Sequence, residues 1–393
     1  MRFYLRLIKR LILYPGQCIK MILLIMRINN LLEKKSISVI FYDRFAMHNS
    51  FTAPVLEEFI RLKGRAIYFV ADKNHPALTK SPDYCEVYLV SRRYELLYRY
   101  LKVPFLVTPA SAYDYDAHNE LTKVAHIYHS MASMHFIYGD TAFDSYDIFF
   151  ATGPHHTREF EQLSELRGWK NKVSFQAGYP KVDNIAQQYK QTEKNSFEKK
   201  VRVAFAPSWG KTNILDSHGY IIIKDLLEKN FKVVLRPHKH SFDFDREVIN
   251  RIITDLKCDA LFLDQSINFD NIYACDLMIS DWSGIAYEFA FATSKPVVSV
   301  EVVGGQKIQS KDNVHIETKA MEDVCRYDIG IVASPEQVSA AAVELLNQES
   351  KARINSITST RKKYLYNFGN SAHVIALQLI KLSGRKVIHA KPS

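Results

Sequence analysis

No G-x-G-x-x-G follows the first strand-like segment of this chain, and no G-x-x-x-x-G-K-[ST] occurs anywhere in it. The signatures of dinucleotide oxidoreductases and P-loop NTPases are therefore missing, and the Gly304-Gly305 pair does not replace them. The five cysteines, Cys18, Cys85, Cys258, Cys275 and Cys325, include no C-x-x-C pair. That argues against a zinc site or a disulfide framework and suits a reducing compartment. His126, His135 and the adjacent His155-His156 lack three convergent ligands at familiar metal spacing, so no metal and no cofactor is expected. In the N-terminal 35 residues the longest uninterrupted apolar run is Met21 to Met26, far short of the ~20 residues that cross a bilayer. No small-residue cleavage site of a secretory signal follows it.

Net positive charge is also scarce outside one tail. Residues 1–35 hold eight basic residues against Glu33 alone, so seven of the ten net positive charges lie there and three are left for the other 358 residues. No Lys/Arg stripe with interleaved aromatics runs through the body, which argues against nucleic acid as a partner. What remains is an ordinary globular composition, 47% hydrophobic and 24% charged in 393 residues, enough for two domains.

Within the tail, Arg2, Arg6, Lys9 and Arg10 gather on one side of a helical wheel while Phe3, Leu7, Ile8 and Leu11 lie outside it. Pro15 and Gly16 break that helix, and a second apolar stretch carries Lys20 and Arg27 on one face. The pattern fits a basic amphipathic segment lying in the plane of an anionic membrane surface, peripheral on a cytoplasmic face. A packed amphipathic helix and a tilted signal anchor are the alternatives.

From Ser38 the chain alternates strand and helix. Candidate strands are Ser38 to Tyr42, Ala66 to Ala71, Glu86 to Val90, Phe105 to Thr108, Ala125 to His129, Asp147 to Ala151 and Val173 to Ala177. Helix-length stretches such as Thr52 to Lys63 and His155 to Arg167 separate them. Short apolar runs spaced this way read as a parallel sheet with crossover helices. The polar stretch 187–200 marks a boundary. A second series follows at Arg202 to Ala206, Lys232 to Arg236, Ala260 to Leu263, Leu277 to Ser280, Val297 to Val300 and Ile329 to Val332, with a helix near Tyr220 to Lys229. Residues from Ala340 to about Leu382 read as helical with a break near Phe368 to Ser371, and could cross back to the first domain. The expected organisation is a membrane-associating segment over 1–35, a Rossmann-like acceptor domain over 36–190 and a Rossmann-like nucleotide-binding domain over 191–393. The expected fold class is α/β and GT-B-like, with the two Rossmann-like domains facing a cleft.

The strand ends carry the chemistry. Residues 277–292 read as a buried strand, a polar turn and an apolar helix, so Ser280, Ser283 and Gly284 place hydroxyls and bare backbone where helical N–H groups are unpaired. Such a turn suits a phosphate. Arg236-Pro237-His238 ends another strand with a cation and an imidazole, and in open α/β sheets ligands collect at the carboxyl ends of the strands. His129 ends a strand in the first half, and a neutral imidazole there can accept a hydroxyl proton. Glu288 shares a helical face with Gly284. Ser208 and Trp209 form a loop that either touches ligand or packs. Each has a plainer reading: His129 as a satisfied loop histidine, His238 pinning the turn after Pro237, Asp281 bracing the 280–284 turn, Trp282 packing and Glu288 as a solvated carboxylate.

Ordered pieces over residues 125–375 resemble the CDP-glycerol glycerophosphotransferases, the teichoic acid primases and polymerases and their relatives in capsule and surface-polysaccharide synthesis. Tyr128-His129-Ser130-Met131 stands where that family has Trp-His-Gly-Thr. Gly178-Tyr179-Pro180-Lys181-Val182-Asp183 is similar to its G-x-P-R-x-D, and Ala206-Pro207-Ser208-Trp209 to its A-P-T-W. Leu235-Arg236-Pro237-His238 resembles the strand end with its second important His, and Ile279 to Gly284 with Glu288 resembles its I-T-D-Y-S-S followed by an acidic residue. The resemblance implies a GT-B transferase that moves a polyol phosphate from a CDP-linked donor to a hydroxyl of a lipid-linked or polymeric carbohydrate acceptor. It implies His129 as acceptor-side base, His238 and Arg236 facing the pyrophosphate, Ser283 and Gly284 on phosphate, and Glu288 on the ribose. A GT-B glycosyltransferase using a nucleotide sugar and a non-catalytic membrane-attached scaffold are the competing readings.

Overall fold

A computed structural model describes residues 2–35, 37–79, 85–111, 119, 121–139, 141–192, 200–210, 212–266, 269–302 and 316–384. Gly304-Gly305 and residues 193–199 of the polar 187–200 stretch lie outside these residues. The chain divides into two compact units. One comprises the chain up to His129, Tyr138–Lys181 and the chain from Tyr366 onward; the other comprises Ser130–Ile137 and Val182–Leu365.

The first unit is built on seven parallel strands, β1 (Val39–Asp43), β2 (Ala66–Val70), β3 (Glu86–Leu89), β4 (Phe105–Thr108), β5 (Lys123–Ile127), β6 (Ile148–Ala151) and β7 (Val173–Gln176), in the order β3-β2-β1-β4-β5-β6-β7. Every residue of β1, β2 and β4 is buried. Helices cover both faces of a parallel sheet, which is why these strands read as continuous apolar runs. The second unit has six parallel strands, β8 (Arg202–Phe205), β9 (Lys232–Leu235), β10 (Leu261–Leu263), β11 (Leu277–Ser280), β12 (Val297–Val300) and β13 (Gly330–Ala333), in the order β10-β9-β8-β11-β12-β13. In both sheets the strand order reverses beside the first strand, at β1/β4 and at β8/β11, and loops leaving such a switch point form the natural ligand crevice.

The helical C-terminal stretch is three helices, Val338–Asn347, Ser350–Tyr364 and Ser371–Leu382. The last returns to the first unit, where it packs on the helix Asn49–Arg61 and pairs His373 with Glu58. Asn367 donates to the Gln176 carbonyl at 3.0 Å, and Tyr366 N–H to that of Thr152 at 2.9 Å. This return explains Gly178: its φ is +103°, and a Cβ there would strike the Ser371 hydroxyl and the Tyr366 carbonyl, so only glycine fits.

At the N-terminus, α1 (Arg2–Leu13) and α2 (Pro15–Lys35) are separate helices, with Pro15 opening the second, where its missing N–H costs nothing. Cys18, Met21, Ile25, Ile28 and Leu32 of α2 are all buried. Their three- and four-residue spacing makes one stripe, and α2 packs against the 3-10 helix Arg92–Tyr100. Asn29 fastens it by donating to the Tyr100 carbonyl and accepting from Lys102 N–H, both at 2.8 Å. Half of the N-terminal segment is thus part of the first unit's core. Tyr4, Leu5, Ile8, Ile12 and Leu13 of α1, with Ile19, Leu23 and Met26 of α2, remain exposed. Among the described residues no helix is long and apolar enough to cross a membrane.

Candidate functional site

In the first unit, His129 stands just past the end of β5, beside the β1/β4 switch point. Its Nδ1–H donates to the Pro109 carbonyl at 2.7 Å. That bond selects the neutral tautomer with its lone pair on Nε2. The Tyr138 hydroxyl approaches Nε2 only to 3.5 Å, too long for a firm bond, so this nitrogen is available to accept a proton. Burial pushes the imidazole down to about 4, the Pro109 carbonyl opposing and the Lys181 ammonium adding to the shift. At neutral pH His129 is an uncharged base. Around it are Phe51, whose ring is 6.3 Å away, and Lys181, which lies 5.3 Å over the Phe51 ring.

In the second unit, the loops leaving β8 and β11 are tied together by Asp281. Its buried carboxylate accepts from Ser208 N–H at 2.6 Å, from the Ser208 hydroxyl at 2.8 Å and from Ile214 N–H at 3.1 Å. Burial raises its pKa against the lowering effect of those donors. Ser280 is wholly buried, and its hydroxyl donates to the Ala206 carbonyl at 2.6 Å. Ser208 and Ser280 therefore brace the switch point from within. Ser283 and Gly284 lie at its outer end, where Gly284 precedes the helix Ile285–Thr293 and no side chain caps the helix. Ala286 N–H donates to the Ser283 carbonyl at 3.1 Å, and the positive end of the helix dipole at this terminus suits an anionic ligand. Ser130 covers this turn: a Cβ on Gly284 would come within 3.1 Å of its hydroxyl.

His238 follows β9. Its Nδ1 accepts from His240 N–H at 3.2 Å, which in the neutral ring puts the proton on Nε2. The ring stacks on Trp209 with centroids 5.5 Å apart. Burial, helped by His240, pushes it down to about 4. His129 and His238 thus have opposite tautomers, one presenting a lone pair on Nε2 and the other a proton.

Arg236 is less free than its sequence position suggests. Its guanidinium pairs with the buried Asp264 at 2.8 Å, donates to the Ser266 hydroxyl at 3.2 Å and lies 4.3 Å from the Phe269 ring centre. Asp264 is depressed overall, because bonds from Ser266 and Asn271 and the Arg236 charge outweigh its burial. Glu288, 5% exposed, neighbours Tyr273, whose phenol is pushed up by burial and then by the Glu288 carboxylate. Asp183 interacts with Arg361, and Trp282 lies under the Arg326 guanidinium at 4.4 Å.

Residues that no motif isolated are Asp264, Phe51 and the clamp on Ser130–Ile137. Ser133 N–H donates to the wholly buried Glu322 at 3.0 Å, and Met321 N–H donates to the Ser133 hydroxyl at 2.8 Å. This clamp holds the segment following His129 onto the second unit. The one available signal was Lys181, inside the Gly178 to Asp183 motif.

The model of the CDP-glycerol:poly(glycerophosphate) glycerophosphotransferase family matches residues 26–302. No curated protein sequence matches the chain. Among solved structures, the wall teichoic acid polymerase TagF aligns with a TM-score of 0.63 at 14% identity, over 98% of this chain and 97% of that one. MnaA of S. aureus, solved with UDP, aligns at 0.58 and 16%, over 91% and 98%. UDP-N-acetylglucosamine 2-epimerase from Rickettsia bellii aligns at 0.58 and 12%, over 88% and 95%. At these identities the structures show the fold, which is α/β and GT-B-like.

Proposed function

Since the chain belongs to the CDP-glycerol:poly(glycerophosphate) glycerophosphotransferase family, we propose how its own residues divide the work of that transferase. The enzyme is of the CDP-glycerol-dependent type that serves teichoic acid synthesis. In our assignment His129 Nε2 removes the proton from an acceptor hydroxyl as its oxygen attacks the phosphorus bearing the glycerol. The new O–P bond forms, the bond to the bridging oxygen breaks, and CMP leaves with the electron pair. His238 Nε2–H donates to the oxygens on which charge develops, and the helix terminus at Ser283-Gly284 holds the donor phosphate.

Arg236, neutralised in part by Asp264, fixes the strand end that carries His238 and faces the pyrophosphate with it. Ser208, Ser280 and Asp281 keep the cradle in shape, and Glu288 accepts from the ribose hydroxyls. The scheme calls for no cofactor and no metal. The acceptor is lipid-linked or polymeric, and the enzyme works at the cytoplasmic face of the membrane. The exposed apolar residues of α1 and the tail's basic charge support that location.

The observation that carries the assignment is the pair of opposed tautomers on His129 and His238. Alanine at either position should lower turnover by about 10² or more while sparing the fold. CDP-glycerol binding, read by calorimetry, should survive His129→Ala and weaken in His238→Ala. A folded His129→Ala enzyme with near-normal turnover would remove the base.

A further inference from the structure

One imidazole beside the base has no part in this scheme and in no motif of the sequence. His48 closes the short 3-10 turn Ala46–His48, immediately before the helix Asn49–Arg61. It is 4% exposed. Its ring stacks on that of His129, with centroids 6.0 Å apart and planes 27° apart, and the Phe45 ring meets it edge-on at 5.3 Å. Its Nδ1 is buried and has no hydrogen-bond partner among the described residues. A ring nitrogen in that state is costly and calls for a partner such as an ordered water or a ligand.

The chemistry of the missing partner can be narrowed. Burial, then His129, Arg44, His75 and Arg92, hold His48 well below its usual range and therefore uncharged. The open nitrogen of a neutral ring donates or accepts according to its tautomer, and a hydroxyl, unlike a phosphate, a carboxylate or a cation, can meet it in either case. One hydroxyl of the acceptor is already assigned to His129 Nε2. Hydroxyls on adjacent carbons lie close enough for one small polyol end to reach both rings, each at ordinary hydrogen-bond length.

Building on the assignment of His129 to the acceptor, we infer that His48 binds the second hydroxyl of a vicinal diol, making the enzyme selective for acceptors that end in a 2,3-dihydroxypropyl group. His48 is then a specificity residue that touches substrate, and His129 remains the base.

The test uses the full-length enzyme with CDP-glycerol and two synthetic acceptors, an alkyl phosphate ending in 2,3-dihydroxypropyl and its 3-hydroxypropyl counterpart. Wild type should favour the diol by about ten-fold or more in kcat/KM. His48→Phe keeps a ring against His129 and removes the nitrogens. It should lose that preference mainly through KM on the diol, with kcat/KM on the mono-ol within about two-fold of wild type. His48→Gln should restore part of the preference, and it supplies the same ratio if the Phe variant does not fold. Equal losses on both acceptors would assign His48 to structure alone and overturn the inference, as would a wild type that does not discriminate. A wild type that releases no CMP with either acceptor would overturn the proposed function itself, and this inference with it.

Discussion

Acid titration of the wild-type enzyme separates a buried, carbonyl-fixed His129 from an ordinary histidine. At pH 5.5 an imidazole of pKa 6.5 is only about 10% neutral, whereas one at about 4 is roughly 97% neutral. His238, also pushed down to about 4, donates from its neutral form and adds no limb of its own near neutrality. The rate constant kcat/KM for CMP release from CDP-glycerol should therefore be flat from pH 8 to about 5 and fall only as pH approaches 4. The fold must be followed in parallel. Both rings bind fewer protons in the native state than in the unfolded chain between about pH 4 and 6.5. Stability therefore falls as pH drops through that window, by at most about 1.4 kcal/mol per pH unit for each group. Initial rates at constant ionic strength, paired with circular dichroism at each pH, distinguish loss of the base from loss of the fold. Half-maximal activity near pH 6.5 in a protein still folded would refute the buried-base reading.

Two further outcomes follow from the packing. Deleting residues 1–13 should release the protein from vesicles rich in anionic lipid while leaving it folded, because α1 supplies exposed apolar side chains and four basic residues, each adding ~1 kcal/mol near such a surface; undiminished binding in a sedimentation assay at physiological salt would contradict the anchor. A cut at residue 28 would be uninformative, since it strips Cys18, Met21, Ile25 and Ile28 from the core. Asp281→Asn replaces one of two acceptor oxygens that hold Ser208 and Ile214 and should cost about 2–3 kcal/mol in denaturant unfolding; a loss under ~0.5 kcal/mol would mean that the brace is idle.

The strands were legible because both faces of a parallel sheet are covered. Phe105–Thr108, Leu277–Ser280 and Val297–Val300 are apolar runs with polar or turn residues at their ends, and they form β4, β11 and β12 at the expected bounds. The polar turn after β11 and the imidazoles after β5 and β9 could be read for the same reason, since strand ends at a switch point are where polar groups are tolerated. What pairing does to a side chain was not legible. Nothing in Leu235-Arg236-Pro237 indicates that Asp264, 28 residues on, claims the guanidinium. Nor does the 277–284 run show that Ser280 is wholly buried with its hydroxyl on the Ala206 carbonyl while Ser283 is only half-buried. Ser130–Ile137 joins the second unit through Glu322, a contact separated by 189 residues from Ser133. The packed half of the N-terminal segment was hidden for a related reason: α2 has apolar residues on two faces, and only the partner helix Arg92–Tyr100 shows which one is buried.

The most direct test of the account is the nucleotide that accumulates when the purified enzyme turns over. Incubated with CDP-glycerol and an acceptor ending in glycerol phosphate, it should release one CMP for each glycerol phosphate added, because the acceptor oxygen attacks the phosphorus bearing the glycerol and CMP departs with the bridging oxygen. Release of a nucleoside diphosphate from a nucleotide sugar, with CDP-glycerol left intact, would place the attack at an anomeric carbon and contradict it.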